Sequence, residues 1–542
     1  MLPNQHIAEL GPLLDQLGIR HVIIAPGSRN APLIQLFTQN ESFQCYSIVD
    51  ERSAGYVALG MAAHLQQPVA VVTTSGTAVV NLAPAIVEAF YRQVPLVILT
   101  ADRPVESVPQ FNNQVIDQVA PFYNFTKGFY ELPLEPRDEQ VVSQAMQQVG
   151  MLVKEGLAYP RGPVHINVPL LEPLYEVLPQ PLMDLKIGSL EAEPLQSDPE
   201  PFPEELYGKK VMVLAGAGRY DRRTSRKLHR LSMHPSFVVV AENITNLHSE
   251  RFITQPEVVL GGANEAELND LKPEVVIGLG GQVVSKRLKN FIQSDPNIIS
   301  LQPEGDPPAY VGMLLDQLDK REGGSPNLYL KAWKSLEESV AKRAERAIHS
   351  SPFGNLTAIR EVIRRAPSGS VLHLGNSTTI RNAQLVPGRE DLFYDANRGT
   401  SGIDGSVSTA VGAALVSDEL HLLVVGDLSF VYDSNALWNK NFPGNLRIIV
   451  MNDGGGSIFR ILEGPGRMDF FEEFSVTHHP VSLELLAQAF GKGFARVTGL
   501  DGLNEHLDLL MKPDAVLSVL EVDTTASENS RIFTSFFEKI RD

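Results

Sequence analysis

The stretch GDLSFVYDSNALWNKNFPGNLRIIVMNDGGG, residues 426–456, carries two carboxylates, Asp427 and Asp453, each closing an apolar run and each beside glycine. LHLLVVGD and LRIIVMND are short runs of the kind buried in parallel sheets. SNALWNKNF between them is expected to form the crossover helix. Ligands of open α/β sheets bind beyond the carboxyl ends of strands, so the two aspartates are expected together at one such edge. Two carboxylates there repel unless a cation lies between them, and oxygen ligation suits Mg2+ or Ca2+ rather than zinc. Glycines 454–456 allow a tight turn and offer a carbonyl as a further ligand. Mg2+ also commonly keeps phosphate oxygens. The pattern therefore admits a metal-bound phosphate ligand, and it equally admits a plain turn, since strands end in Asp and Gly for turn chemistry alone.

Positioning such a pair requires sheets, and the chain is long enough for several. Its 542 residues exceed one ordinary domain. Hydrophobic residues make up 43 % and charged residues 20 %, which excludes a mainly disordered chain. The net charge of −18 argues against a general nucleic-acid or anionic-membrane surface, although a few local arginines can still bind small anions. Cys45 is the single cysteine, so no intramolecular disulfide forms, and a reducing compartment is expected. The first residues lack a basic stretch followed by an apolar one, and no apolar run approaches about 18 residues. A cytoplasmic protein without a membrane span is expected.

Strand-like and helix-like patterns alternate in three blocks, which predicts an α/β fold with mainly parallel sheets flanked by helices. The blocks are expected over 1–180, 206–350 and 351–542, with a proline- and acid-rich linker over 181–205. HVIIAPGSRNAPL opens the first, KKVMVLAGAGR the second and SVLHLGNSTT the third, and LYLKAWKSLEESVAKRAERAIHS reads as a charged helix leaving the second. LAGAGR matches only two glycines of a dinucleotide-binding turn, so no dinucleotide is expected there. His478-His479-Pro480 has no partner at metal-ligand spacing and reads as a solvated loop. Glu51 lies in CYSIVDERSAGYVALG at a strand-to-helix junction, where Asp50 and Glu51 on their own read as helix-capping residues.

Several of these stretches together carry a family resemblance. PGSRNAPL, VDERSAGYVALG, TSGTAVVNLAPA, LTADRP, GNSTTIRNAQ, NRGTSGIDGSVSTAVGAA and GDLSF resemble one branch of the thiamine-diphosphate enzymes, the menaquinone-pathway 2-succinyl-5-enolpyruvyl-6-hydroxy-3-cyclohexene-1-carboxylate synthases. The resemblance spans both outer blocks and is weakest in the middle one. It implies a pyrimidine-binding first domain and a diphosphate- and metal-binding third domain. Thiamine diphosphate and Mg2+, or Mn2+ in its place, are implied as cofactors. The implied metal ligands are Asp427, Asp453 and the Gly455 carbonyl, with Asn452 as the alternative to Asp453 if the alignment shifts by one, because Asn is usual at that position; Leu428 after the GD pair is a second departure from the usual pattern. Gly426, Leu428 and Ser429 are implied around the cofactor, Gly402 and Ile403 beneath it, and Glu51 against its pyrimidine.

The implied reaction joins 2-oxoglutarate, after loss of CO2, to isochorismate. Both substrates are dicarboxylates, for which arginine forks are well suited. The motif matches nominate Arg29, Arg103, Arg381 and Arg398, with Ser28, Gln114, Asn376 and Ser377 as polar companions. Lys286 is expected to reach in from the middle block, with Arg287 equally placed. An acetolactate-synthase-like carboligase or decarboxylase is the alternative reading. The superfamily's shared cofactor site implies a homodimer or homotetramer.

Overall fold

The computed structural model describes residues 2–106, 113–183, 201–302, 306–320, 326–462 and 464–541. It is an α/β protein with three all-parallel sheets. The first contains β1 (His21–Ile24), β2 (Gln44–Ser47), β3 (Val69–Thr73), β4 (Leu96–Asp102), β5 (Phe129–Glu131) and β6 (Val164–Pro169), in the order β2-β1-β3-β4-β6-β5. The second contains β7 (Val211–Ala215), β8 (Phe237–Ala241), β9 (Val275–Leu279) and β10 (Ile299–Leu301), ordered β10-β9-β7-β8. The third contains β11 (Val371–Leu374), β12 (Phe393–Asp395), β13 (His421–Gly426), β14 (Leu446–Asn452), β15 (Gly493–Val497) and β16 (Leu517–Asp523), ordered β12-β11-β13-β14-β16-β15. The first and third sheets thus repeat one strand order without a close sequence repeat.

The central strands are buried on both faces, as parallel strands flanked by helices must be: every residue of β3, β4 and β6 is buried. The chain divides into two compact units. One holds the first sheet with residues 399–418 and 433–444, and the other holds the second and third sheets. The linker expected over 181–205 falls largely outside the described residues, which omit 184–200. The charged helix leaving the middle block runs over Leu328–His349. No helix among the described residues is long and apolar enough to cross a membrane.

The crossover between β13 and β14 departs from expectation. A short helix begins directly at Asp427 and ends at Tyr432, and SNALWNKNF contributes only a 3-10 turn over Ser434–Trp438. The asparagines there compete for local hydrogen bonds, as side chains of this type do: Asn439 Nδ2 donates to the Ala436 carbonyl at 3.1 Å, and Asn435 Oδ1 accepts from Trp438 Nε1 at 3.1 Å. Pro443-Gly444 then ends the segment.

Within the first unit, helix Glu51–Leu65 is crossed by helix Ser406–Leu415 at backbone contact distance. A Cβ at Gly60 would stand 2.0 Å from the Thr409 carbonyl oxygen, and one at Gly412 would stand 2.0 Å from that of Val57. At the same crossing, the fully buried Asp433 accepts from Ser408 N at 2.6 Å and Ser408 Oγ at 2.7 Å, and Ser408 Oγ meets Ser53 Oγ at 2.9 Å. Burial pushes the Asp433 carboxyl up to about 7. The crossing therefore fixes the amino-terminal turn that bears Glu51. Gly60→Ala should destabilise the protein by about 1–3 kcal/mol through overpacking, because the atom it meets belongs to the backbone. Equilibrium denaturation checks this, and a midpoint equal to or above wild type would remove the close crossing as a constraint.

Candidate active site

β13 and β14 are neighbours, with Gly426 paired in register with Met451, so the residues that follow them emerge side by side. Asp427 opens its short helix and is 1 % exposed, and Ser429 beside it is also buried. Asp427 Oδ1 accepts from Leu428 N at 2.8 Å, and Oδ2 accepts from Gly455 N at 2.8 Å. Asp453 accepts from Asn355 Nδ2 at 2.8 Å and from Ser457 Oγ. Asn452 is committed elsewhere: its Nδ2 donates to Glu521 at 2.7 Å and its Oδ1 accepts from Gly454 N at 3.2 Å. Gly454 (φ 80°) and Gly455 (φ 133°) occupy backbone conformations that disfavour side chains, and a Cβ at Gly455 would also meet the Val476 carbonyl at 2.5 Å.

Burial raises the proton affinity of Asp427. Burial and then the charge of Asp427 push Asp453 up to about 7. Two enclosed carboxylates, one resisting ionisation further because of the other, form a ligand set suited to a cation. The residues fit such a group: Asp427, Asp453 and the Gly455 carbonyl, which accepts only from Ser457 N at 3.0 Å among the described residues and keeps a second lone pair.

His479, expected in a solvated loop, is instead mostly buried, with Nε2 3.2 Å from Asp427 Oδ2. Its neighbour His478 does lie more exposed, with Nδ1 2.5 Å from the Gly454 carbonyl. No local sequence signal distinguishes these two histidines. Only the return of a distant segment over the glycine turn places them.

On the first sheet, candidates collect at the carboxyl ends of β1, β3 and β4. Ser28 is exposed, whereas Arg29 is 4 % exposed and donates to the Leu170 carbonyl at 3.2 Å and to Glu172 at 3.0 Å. Burial and neighbouring Arg103 lower the proton affinity of Arg29, while Glu172 and Asp102 oppose this. Gln114 has φ 56°, its side chain is exposed, and its carbonyl accepts from Ser75 Oγ at 2.8 Å. Asp50, not Glu51, caps helix Glu51–Leu65, accepting from Arg52 N at 2.9 Å and Ser53 N at 3.4 Å. Glu51 is left at the first helical position with no side-chain hydrogen bond or ion pair among the described residues. One turn on, Tyr56 donates to Asp404 at 2.8 Å, and its ring fills the place a Cβ at Gly405 would take. Gly402 and the half-exposed Ile403 lie on that same turn.

Cations gather in the second unit. Arg398 Nη1 donates to Asn376 Oδ1 at 2.9 Å, and Arg381 Nη1 donates to the Ser377 carbonyl at 3.0 Å. Ser377 is held at φ 75°, a conformation that stores strain and recurs at functional sites. From the middle sheet, Lys286 is exposed and Arg287 is engaged by Glu257 at 3.2 Å and by the Phe537 ring at 4.0 Å. Lys289, one helical turn beyond Lys286, lies near Arg398 and Arg381: burial and then Arg398 lower its proton affinity, Glu242 opposes this, and Arg381 lowers it further.

Residues 9–120 match the family described as thiamine pyrophosphate enzyme, N-terminal TPP binding domain. Curated relatives extend the likeness to the whole chain. The 2-succinyl-5-enolpyruvyl-6-hydroxy-3-cyclohexene-1-carboxylate synthase of Desulfotalea psychrophila is 38 % identical over 97 % of this chain and 99 % of its own length. The synthases so named from Flavobacterium johnsoniae and Porphyromonas gingivalis are 35 % and 33 % identical, over 96 % and 98 % of this chain and 96 % and 97 % of their own lengths. Together, fold and matches define a thiamine-diphosphate-dependent synthase. Within that class, the chain belongs to the family of 2-succinyl-5-enolpyruvyl-6-hydroxy-3-cyclohexene-1-carboxylate synthases.

A cation held by Asp427 and Asp453 must displace the proton that Asp453 retains up to about pH 7. Mg2+ affinity, titrated calorimetrically in the presence of thiamine diphosphate, should therefore rise roughly tenfold per pH unit below about 7 and level off above it. Asp453→Asn should bind Mg2+ with that slope abolished. A wild-type affinity constant from about pH 5.5 to 8 would remove Asp453 from the ligand set.

Proposed function

We propose that the protein condenses 2-oxoglutarate with isochorismate, releasing CO2 and giving 2-succinyl-5-enolpyruvyl-6-hydroxy-3-cyclohexene-1-carboxylate for menaquinone synthesis, with Mg2+ and thiamine diphosphate as cofactors. The observation that carries the reading is the enclosed pair Asp427 and Asp453 at adjacent strand ends, in a chain that matches synthases of this name from end to end. Bound thiamine diphosphate supplies the chemistry that makes decarboxylation of a 2-oxo acid and the new carbon–carbon bond accessible.

The chain's own residues bind, orient and move protons. Asp427, Asp453 and the Gly455 carbonyl would hold Mg2+, and Gly426, Leu428 and Ser429 would lie beside the diphosphate. Glu51, free of partners among the described residues, would hydrogen-bond the pyrimidine and hold the proton passed there, and Gly402 and Ile403 would line the cofactor's seat. Arg29, Arg103, Ser28 and Gln114 on one sheet, and Arg381, Arg398, Asn376, Ser377 and Lys289 on the others, receive the substrate carboxylates. Lys286, one helical turn before Lys289, is the second candidate on the middle sheet. The active protein is a homodimer or homotetramer working in the cytoplasm, where its lone Cys45 stays reduced.

Purified protein with Mg2+, thiamine diphosphate and 2-oxoglutarate should consume isochorismate absorbance only when every component is present, with CO2 released. Pyruvate should substitute poorly, because it leaves a cation without its distal carboxylate. Acetolactate formed from pyruvate without isochorismate would replace this reading with the acetolactate-synthase-like one.

Glu51→Gln should keep cofactor affinity within about threefold yet lower kcat by about 100-fold or more. Near-normal kcat would take Glu51 out of the proton path.

A further inference from the structure

His479 lies outside every motif that carries the family likeness, yet its ring meets a residue at the centre of the site. Its orientation is fixed from both sides. Val481 N donates to Nδ1 at 3.3 Å, so Nδ1 is the accepting nitrogen and Nε2 is the donor. That Nε2–H points at Asp427 Oδ2, 3.2 Å away. With Leu428 N on Oδ1 and Gly455 N on Oδ2, the Asp427 carboxylate receives three donors. Only His479 among them is a side chain.

The segment that delivers His479 closes over the glycine turn. Val476 O accepts from Gly456 N at 2.5 Å, and His478 Nδ1 donates to Gly454 O at 2.5 Å. Glu472 at the start of that segment receives the Arg460 fork at 2.7 and 2.6 Å and His478 Nε2 at 3.1 Å. The strap therefore grips the turn that follows β14 while its histidine grips the carboxylate that follows β13.

We infer that His479 is a positioning residue for the divalent-cation site. Its Nε2–H holds Asp427 in the rotamer that presents the carboxylate to the cation. Groups that hydrogen-bond a metal-ligating carboxylate commonly contribute 10- to 100-fold in metal affinity. The inference rests on Asp427 being a cation ligand, as proposed above.

The test titrates Mg2+ calorimetrically into protein saturated with thiamine diphosphate, for wild type, His479→Phe and His479→Gln. Phe keeps ring volume without a donor, whereas the Gln amide can place an N–H near the Nε2 position. His479→Phe should lose about 10- to 100-fold in Mg2+ affinity and His479→Gln less than about threefold. The thermal midpoint of all three in chelator should agree, a result that a purely packing role would not give for Phe and Gln alike. Wild-type Mg2+ affinity in His479→Phe overturns the inference, as does equal weakening in both variants. If His479→Phe does not fold, weakening of His479→Gln by more than tenfold overturns it, and near-wild-type affinity there supports it. Wild-type protein that binds no Mg2+ refutes the cation site itself, a separate outcome.

Discussion

Two carboxylates held together away from water set the terms for the third sheet. Asp427 and Asp453 each resist ionisation because of burial, and Asp453 resists further because of Asp427. Folding brings them together because β13 and β14 are parallel neighbours in register, so the repulsion is built into the backbone rather than into flexible side chains. The surrounding groups moderate it. Backbone N–H groups of Leu428 and Gly455, Asn355 Nδ2 and His479 Nε2 all donate to the pair, which favours the charged forms. Such an arrangement costs stability in the free protein and returns it on binding a cation, since a ligand that binds only the folded state stabilises it.

The glycine turn follows from the same constraint. Gly455 must bring its N–H to Asp427 while the strap's Val476 carbonyl passes where a side chain would stand. A β-carbon at that point would break either the hydrogen bond or the strap. One residue therefore serves the fold and the site at once, and its carbonyl and amide face different partners.

How much of this was legible depended on the range of the interaction. Asp427 and Asp453 were readable because a strand, a turn residue and a glycine run are local signals, and parallel topology converts them into neighbours. Glu51 was nominated only through the family likeness, since on residue type alone Asp50 and Glu51 are equivalent caps. The structure separates them, giving the cap to Asp50 and leaving Glu51 without a partner among the described residues. His479 was misread because its burial comes from a strap closing over a turn some twenty residues earlier, and no periodicity encodes that contact. SNALWNKNF forms a 3-10 turn instead of the helix expected as the crossover between two parallel strands, because its asparagines and Pro443-Gly444 favour local turns.

The cation cluster gives the middle sheet a physical part in the site. A chain with a net charge of −18 nonetheless sets Lys289 against Arg398 and Arg381, whose proximity lowers its proton affinity. Glu242, just after β8, is one counterweight. It accepts from Val284 N at 2.6 Å and Ser285 N at 2.7 Å, burial pushes it up to about 7, and Arg398 pulls it back. Those two amides open the helix that bears Lys289, so one buried carboxylate both anchors that helix and partly balances the cations. On the proposed reading, partial balance suits anion capture, since full neutralisation would remove the attraction for a carboxylate substrate. The middle sheet thus supplies the lysine and the acid that set the field, whereas the third sheet supplies the arginines whose forks define direction.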